Sequence, residues 1–515
     1  MSQAVVSVNA GMLLPVLAPA VGAAIVLVTD VVVQHLRRTH YLIALVSLMV
    51  GAAATVGGLG LGRVAGEARR TLCLPGGGQC MYVADPVTST LQLAALLTAA
   101  LTLLLSWPDD KRESPGGTAV IVSLVLAATA GATAVAGARD LGTWLVAIEL
   151  ATLPTVALVA LRGARSAISG AVALLTASLV SFGLLALAAA LWYTATGSGF
   201  LNPAAALAIV ADPARRPILV LAVVVAIAGI GFKLSLVPFH AWTPEAYDGA
   251  PLPIAAFLAG VSKIAALAAL LVVIRAIAPL GAPPLAAIAI VSAVTMTLGN
   301  VMALRQGGVV RLLAWSTVAQ AGWVVLPLAA VSSAAVSASG AYLLAYVLAT
   351  LLAFAVIAAL VQVRGSARAR DLAEYRGLLR DHPVLASALA LALLSLAGLP
   401  PGILGLVAKV AALRPVVDSQ LWLLAVVAAV NAVLGVAVYL RWLLAVISTG
   451  EVTSTPGASP KATLGSANPV PDGAAPVAAH PVRAHPATLV AVGFTAVALV
   501  LTSLSPQILV GMLGS

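Results

Sequence analysis

About fourteen stretches of this chain run for roughly 20 residues almost without a charge, the length needed to cross the hydrocarbon core of a bilayer. In lipid no water is at hand for backbone amides, so such stretches are confined to helices or to closed barrels. The apolar runs lack the strict alternation of barrel strands, which leaves helices. The expected fold is an all-α polytopic membrane protein. Its first four spans run approximately from Met12 to Val33, His40 to Leu61, Asp85 to Trp107 and Gly117 to Ala136. Then come Leu141 to Leu161, Ala167 to Tyr193, Ile218 to Trp242, Ile254 to Ile274 and Leu285 to Leu304. The last five are Val309 to Leu328, Ala335 to Val363, Val384 to Leu413, Leu421 to Ile447 and Ala487 to Leu509.

Composition agrees: 62% of the residues are hydrophobic, 9% are charged and the mean hydropathy is +1.10, far from a soluble domain. No basic flank of a signal peptide precedes the first run, which reads as a retained helix. A net charge of +10 in a soluble protein would point to nucleic acid. Here the excess is mostly arginine in loops and at helix ends, and no nucleic-acid partner is expected. The cluster Arg364, Arg368, Arg370, Arg376 and Arg380 makes its side the inner one, so that both termini face outward.

The stretch GFKLSLVPFHAWTPEAYDGAPLP, from Gly231 to Pro253, joins two of the apolar runs and carries a lysine, a histidine and two carboxylates. Lys233 follows the uncharged run from Ile218, and Pro238 cannot bond the carbonyl of Leu234. A charge beside a broken helix is how membrane proteins build ion sites. The device recurs with opposite sign: Glu149 lies mid-run, with Pro154 freeing the carbonyl of Leu150. Together they suggest an ion pair. Lys263 is central in its own run, and Lys409 follows Pro400 and Pro401.

Five of the 27 basic residues are lysines, Lys111, Lys233, Lys263, Lys409 and Lys461, and three of these fall inside apolar runs. Arginine stays charged in proteins, whereas a buried lysine can lose its proton. Plainer readings exist: a protonated Glu149 as helix glue, Lys263 as a partner of a helix end, Lys233 and Lys409 snorkelling, and His240 at the interface beside Trp242. Four central charges would nonetheless cost on the order of 10 kcal/mol without pairing or water. A Glu149–Lys233 pair recovers part of that cost and holds the lysine protonated. Weakening the pair releases the proton to the next site.

Cys73 and Cys80 flank a PGGG turn in the second loop, where a disulfide and two free thiols are equally open. The connection from 448 to 486, rich in Pro, Ala, Gly and Ser, is expected to be disordered. No GxGxxG follows a strand, no CxxC occurs and no two histidines share an apolar run, so no nucleotide, iron-sulfur cluster or haem is expected on this chain.

The motif FKLSLVPFHAWTPEAYDGAPLPIAAFLAGVSK resembles the signature of the antiporter-like membrane subunits N of NADH-quinone oxidoreductase, respiratory complex I. GNVMALRQGGVVRLLAWSTVAQAGW at 299–323, SLAGLPPGILGLVAK at 395–409 and YLRWLL at 439–444 extend the resemblance over roughly Asp85 to Ile447. Related subunits L and M and the cation antiporter subunits look more like HxWLPxAH where this chain has HAWTPEAYDGAP. The resemblance implies about 14 helices with discontinuous helices 7 and 12. It divides the chain into helices 1–3 (1–116), two inverted five-helix repeats (117–276 and 277–447), the 448–486 loop and a last helix (487–515).

It also implies a proton path through Glu149, Lys233, Lys263, Lys409 and His240, with no redox centre in this chain. NADH, FMN, iron-sulfur clusters and quinone would belong to other subunits of a proton-translocating oxidoreductase in a bacterial inner membrane. The implied partners are membrane-arm subunits of the M, K, L, J, A and H types and, through them, the peripheral arm. Three departures stand out: no lysine near the start of the sixth run, Gln320 in place of a frequent histidine, and Val310–Arg311 for a frequent Lys-Arg pair. The alternatives are an Mrp-type cation/proton antiporter subunit and a structural membrane scaffold.

Overall fold

Each of these apolar runs is helical over most of its described length in the computed structural model, which describes residues 7–33, 37–57, 59, 69–75, 79–107, 117–277, 283–330, 332–448 and 484–513. The 448–486 loop lies almost entirely outside the described residues. Helices α1 (Ala10–Val32) and α2 (Arg37–Val56) form a first pair. They are followed by α3 (Pro86–Leu105), α4 (Thr118–Gly137) and a fifth span broken into α5 (Leu141–Leu150) and α6 (Leu153–Ala160). After α7 (Arg165–Thr196) and a short α8 (Pro203–Val210) comes the seventh span, α9 (Arg216–Leu234), which ends in mid-membrane and resumes as α10 (Trp242–Gly249).

The eighth span is α11 (Leu252–Ala259) and α12 (Val261–Ile277), separated at Gly260, and α13 (Pro283–Leu304) and α14 (Val309–Val325) follow. Next are α15 (Ser333–Arg364) and two short helices in the arginine-rich loop, α16 (Ser366–Arg370) and α17 (Leu378–Asp381). The twelfth span splits into α18 (Pro383–Ala397) and α19 (Ile403–Asp418). The described chain finishes with α20 (Trp422–Ile447), α21 (Pro486–Leu504) and α22 (Gln507–Met512).

Among the described residues thirteen spans are long and apolar enough to cross a membrane, and the α18–α19 pair, whose halves are each too short alone, makes a fourteenth. Short polar side chains start several helices: Asp85, Asp140, Asn202 and Ser332 accept from backbone amides of the first turns of α3, α5, α8 and α15. The centre of the bundle is the eighth span, α14 and α15, buried almost throughout, while α1, α7, α20 and α21 are only a third buried. The perimeter is thus apolar and the interior holds the polar groups.

The second loop adds what the sequence reading missed, a two-stranded antiparallel hairpin of β1 (Arg69–Cys73) and β2 (Cys80–Ala84). Cys73 and Cys80 are paired across it and joined as a disulfide. Alkylation of the denatured chain should therefore add nothing before reduction and two labels after it; two labels without reductant would contradict the bond. Ser7 pairs with Cys73, and Thr90 in the first turn of α3 donates to the carbonyl of Met512. Both ends of the described chain consequently lie at one face, as an even number of crossings requires.

At that face Asp85 gathers three segments. Its carboxylate accepts from the Thr88 amide at 2.8 Å and pairs with Arg275 at 2.7 Å and Arg139 at 3.2 Å. Burial alone would raise this carboxyl, but Arg275, Arg139 and Thr88 outweigh it, so Asp85 sits below the usual carboxylate range. A group depressed on folding contributes stability above its unfolded pKa and loses it as pH falls through the folded one. Asp85→Asn should therefore cost about 1.5–3 kcal/mol at neutral pH, on the scale of charged hydrogen bonds. The difference from wild type should shrink on acidification through the carboxylate range, which thermal unfolding at several pH values would read.

At the opposite face Arg311 pairs with Glu245 and Asp248, and Arg370 with Asp248. Two glycines permit the close approaches on which the broken spans depend. A Cβ at Gly131 would run into the backbone at Ala151, at the α5–α6 break, and one at Gly405 into the Ser395 carbonyl.

Candidate functional site

A helix that ends inside a membrane strands its last carbonyls, and the site is built from what satisfies them. At the end of α9, Ser235 takes a left-handed conformation (φ 68°) and the chain turns away. The Gly231 carbonyl accepts from the Leu236 amide at 2.8 Å, and the Phe232 carbonyl from the Trp242 indole at 2.7 Å. The Lys233 carbonyl accepts from the ammonium of Lys263 at 3.0 Å. That ammonium also donates to Ser235 Oγ at 2.5 Å and lies 4.7 Å from the centre of the Trp242 ring. A cation is favoured there by the negative end of the helix dipole and by the indole face.

The side chain of Lys233 points the other way, into the fifth span. Its Nζ lies 2.8 Å from Glu149 Oε1 and donates to Thr152 Oγ1 at 2.9 Å and to Ser178 Oγ at 3.4 Å. The Lys233–Glu149 contact is an ion pair rather than a well-aligned hydrogen bond, since Oε1 finds no properly directed donor. Glu149 Oε2 accepts from Ser178 at 3.4 Å. Thr152 stands at the α5–α6 break that Pro154 imposes. The pair is buried, with the lysine side chain 6% exposed and the carboxylate 14%. A cavity of about 10 Å³ lined by Thr152, Ser178, Lys233, Trp242 and Ser262 adjoins it, roughly the room one water needs.

The twelfth span repeats the arrangement. At the end of α18, Gly398 is left-handed (φ 79°), and Lys409, from the second half of the span, donates to the carbonyls of Ala397 at 2.6 Å and Leu396 at 3.2 Å. Its Nζ lies 5.8 Å from the Trp323 ring. The same three parts therefore occur twice: a helix ending in mid-membrane, a lysine on its open carbonyls and a tryptophan against the lysine. Among the described residues no carboxylate pairs with Lys409.

Glu149, Lys233 and Lys263 are thus brought together, and Lys409 forms a second centre. His240 joins neither: its ring packs on Trp315 at 5.3 Å and its Nδ1 makes no well-formed hydrogen bond among the described residues. Between the centres lies a polar cluster of which the sequence reading singled out Gln320 alone. Gln320 accepts from the Tyr342 hydroxyl and donates to that of Tyr439 at 2.8 Å. Tyr439 meets Ser316 at 2.6 Å and Tyr346 meets Thr317 at 2.8 Å. The signal was present as Tyr342 and Tyr346, one turn apart, and as Ser316, Thr317 and Gln320 on one helix face. A second cavity of about 10 Å³ joins Gln320, Tyr342, Tyr346 and Ser395 to Lys409.

Hydroxyls, carbonyls and ammonium groups in a line can bind and hand on protons. No group of three or more His, Cys, Asp or Glu residues suited to a metal occurs among the described residues.

Comparison with known proteins adds the following. Residues 138–435 match the family described as NADH:quinone oxidoreductase/Mrp antiporter, transmembrane. The chain is 39% identical over 421 residues to NADH-quinone oxidoreductase subunit N of Salinispora tropica, covering 79% of this chain and 79% of that protein. Among solved structures, a chain of respiratory complex I from Thermus thermophilus with bound aureothin superposes with a TM-score of 0.73 at 30% identity, covering 96% of this chain and 98% of that one. A chain of the Mrp complex of a Dietzia species superposes with a TM-score of 0.79 at 21% identity, covering 98% and 96%, a likeness of fold alone.

Proposed function

This chain belongs to the NADH:quinone oxidoreductase/Mrp antiporter family of transmembrane subunits, and from that premise we propose that it is subunit N of a bacterial NADH-quinone oxidoreductase, translocating protons in its membrane arm. The observation that carries the reading is the Glu149–Lys233–Lys263 array at the broken seventh span, with Lys409 at a second break. Charges placed so deep are expensive, roughly 2.5 to 3.5 kcal/mol each on the gentlest scale, and are retained for ion movement.

Glu149 holds the Lys233 ammonium by its charge. A movement transmitted from neighbouring subunits that draws Glu149 away leaves the ammonium uncompensated, and its proton passes through water in the adjoining cavity toward a Lys263 that has already given up its own. Lys409 serves as the corresponding store in the second half. His240 serves as an accessory proton group reached through water. The chain holds no redox centre; NADH, FMN, iron-sulfur clusters and quinone are bound by other subunits. Its partners are the M, K, L, J, A and H types of membrane-arm subunit and, through them, the peripheral arm. It sits in the bacterial inner membrane with the arginine-rich face inward and both termini outward. The spans are arranged as two inverted repeats, 117–276 and 277–447.

The test is to tag the chain, extract it in mild detergent and assay the purified assembly. Copurification with dehydrogenase subunits and NADH-dependent quinone reduction is the expected result. A chain found alone, or only with other antiporter subunits and exchanging sodium for protons, would overturn it.

A further inference from the structure

Between Lys263 and Lys409 stand α13, α14 and α15, which contain no carboxylate and no lysine, and whose arginines, Arg311 and Arg364, sit at helix ends on the arginine-rich face. Buried hydroxyls occupy the gap instead. From Lys263 the contacts run to Ser235 Oγ at 2.5 Å and from there to Thr243 Oγ1 at 2.5 Å. One turn further along α10 is Tyr247, whose hydroxyl is fully buried beside Thr317 and Tyr346 and makes no well-formed hydrogen bond to protein. Thr317 meets Tyr346 at 2.8 Å, and Tyr346 opens on the cavity it shares with Lys409 and with Ser395, whose buried Oγ is likewise unpartnered. Ser395 borders that cavity, and an unpartnered buried hydroxyl next to space for a water is where internal water is held.

We propose that Ser235, Thr243, Tyr247, Thr317 and Tyr346 form a neutral hydroxyl bridge that passes a proton between Lys263 and Lys409. The inference rests on the proton-translocating reading above. Each hydroxyl accepts a proton on its oxygen as it gives up its own, so one O–H bond breaks for each that forms and no member becomes charged. The balance over the path is one ammonium made neutral and one neutral amine protonated. The amide of Gln320 cannot relay in this way; clamped between Tyr342 and Tyr439, it lies beside the bridge and outside it.

The experiment uses the whole assembled complex in liposomes, carrying Tyr346→Phe, Thr317→Val or both, with NADH-driven proton uptake as the readout and native-gel assembly as the control. Each single variant should slow pumping about a hundredfold, at the modest end of what a positioned proton-transfer group contributes. The double variant should be no slower than the worse single, because both interrupt one path. The solvent deuterium isotope effect on turnover should rise, which a purely structural defect would not produce. Threonine to valine preserves shape, so Thr317→Val decides the matter if the tyrosine variant fails to assemble.

Wild-type pumping and an unchanged isotope effect in Thr317→Val, with Lys263→Ala impaired, would overturn the bridge and leave the translocating role standing. Wild-type pumping in Lys263→Ala as well would remove that role itself.

Discussion

The Lys263→Ala variant is expected to assemble and to lose NADH-driven quinone reduction coupled to pumping by about a hundredfold, the low end for removing a proton-transfer group. Lys263 is the group that takes up the open carbonyl of Lys233 and the hydroxyl of Ser235, and no other described ammonium reaches them. A helix-capping role would give some loss too, because alanine orphans a buried carbonyl and leaves a void. Two further substitutions separate the readings. Lys263→Arg keeps a cation at the end of α9 but one that does not release its proton, and Lys263→Met keeps the volume without the charge. Proton transfer predicts that all three are impaired. Capping alone predicts that arginine rescues, and turnover in isolated membranes, normalised to assembled complex on native gels, reads the difference.

Glu149→Gln is expected to have an effect of similar size for a different reason. The amide keeps the shape but leaves the Lys233 ammonium without a counter-charge, with only neutral acceptors in the amide oxygen, Thr152 and Ser178. Leaving one partner of a buried ion pair unmatched costs roughly 3–5 kcal/mol. The lysine escapes that cost by giving up its proton, and the store that the mechanism needs stays empty. Coupled turnover should fall about a hundredfold. Glu149→Asp, which retains the charge at a longer reach, should recover part of it. A Gln variant as active as wild type would mean that Glu149 is protonated and acts as helix glue.

The outline of this molecule was legible because lipid permits so few backbone arrangements. Apolar runs of span length had to be helices, and Pro154, Pro238 and the Pro400–Pro401 pair marked three of the breaks, since a proline removes a bond that nothing in lipid replaces. The fourth break, at Gly260, was not read, because a lone glycine inside an apolar run carries no such signal. The β1–β2 hairpin escaped because it lies in a short extramembrane loop, where it is also bridged by Ser7 and Ala138 from distant parts of the sequence.

At the site, the charged residues announced themselves by their cost, and Glu149, Lys233 and Lys263 do meet. His240 was drawn in by its place in the motif, but the turn after α9 aims it at Trp315. The hydroxyl cluster around Gln320 was hidden for the converse reason. Tyrosine, serine and threonine are inexpensive enough in a helix bundle to pass as packing residues, and only the crossing of α14, α15 and α20 brings Ser316, Gln320, Tyr342 and Tyr439 into contact.

The most direct measurement counts protons delivered to the interior per NADH oxidised, in liposomes holding the purified complex, for wild type, Lys263→Ala and Glu149→Gln side by side. The account predicts that both variants deliver fewer protons per NADH or stall turnover while the complex remains assembled. Wild-type rate together with wild-type proton yield in both would contradict it and leave the chain as scaffold.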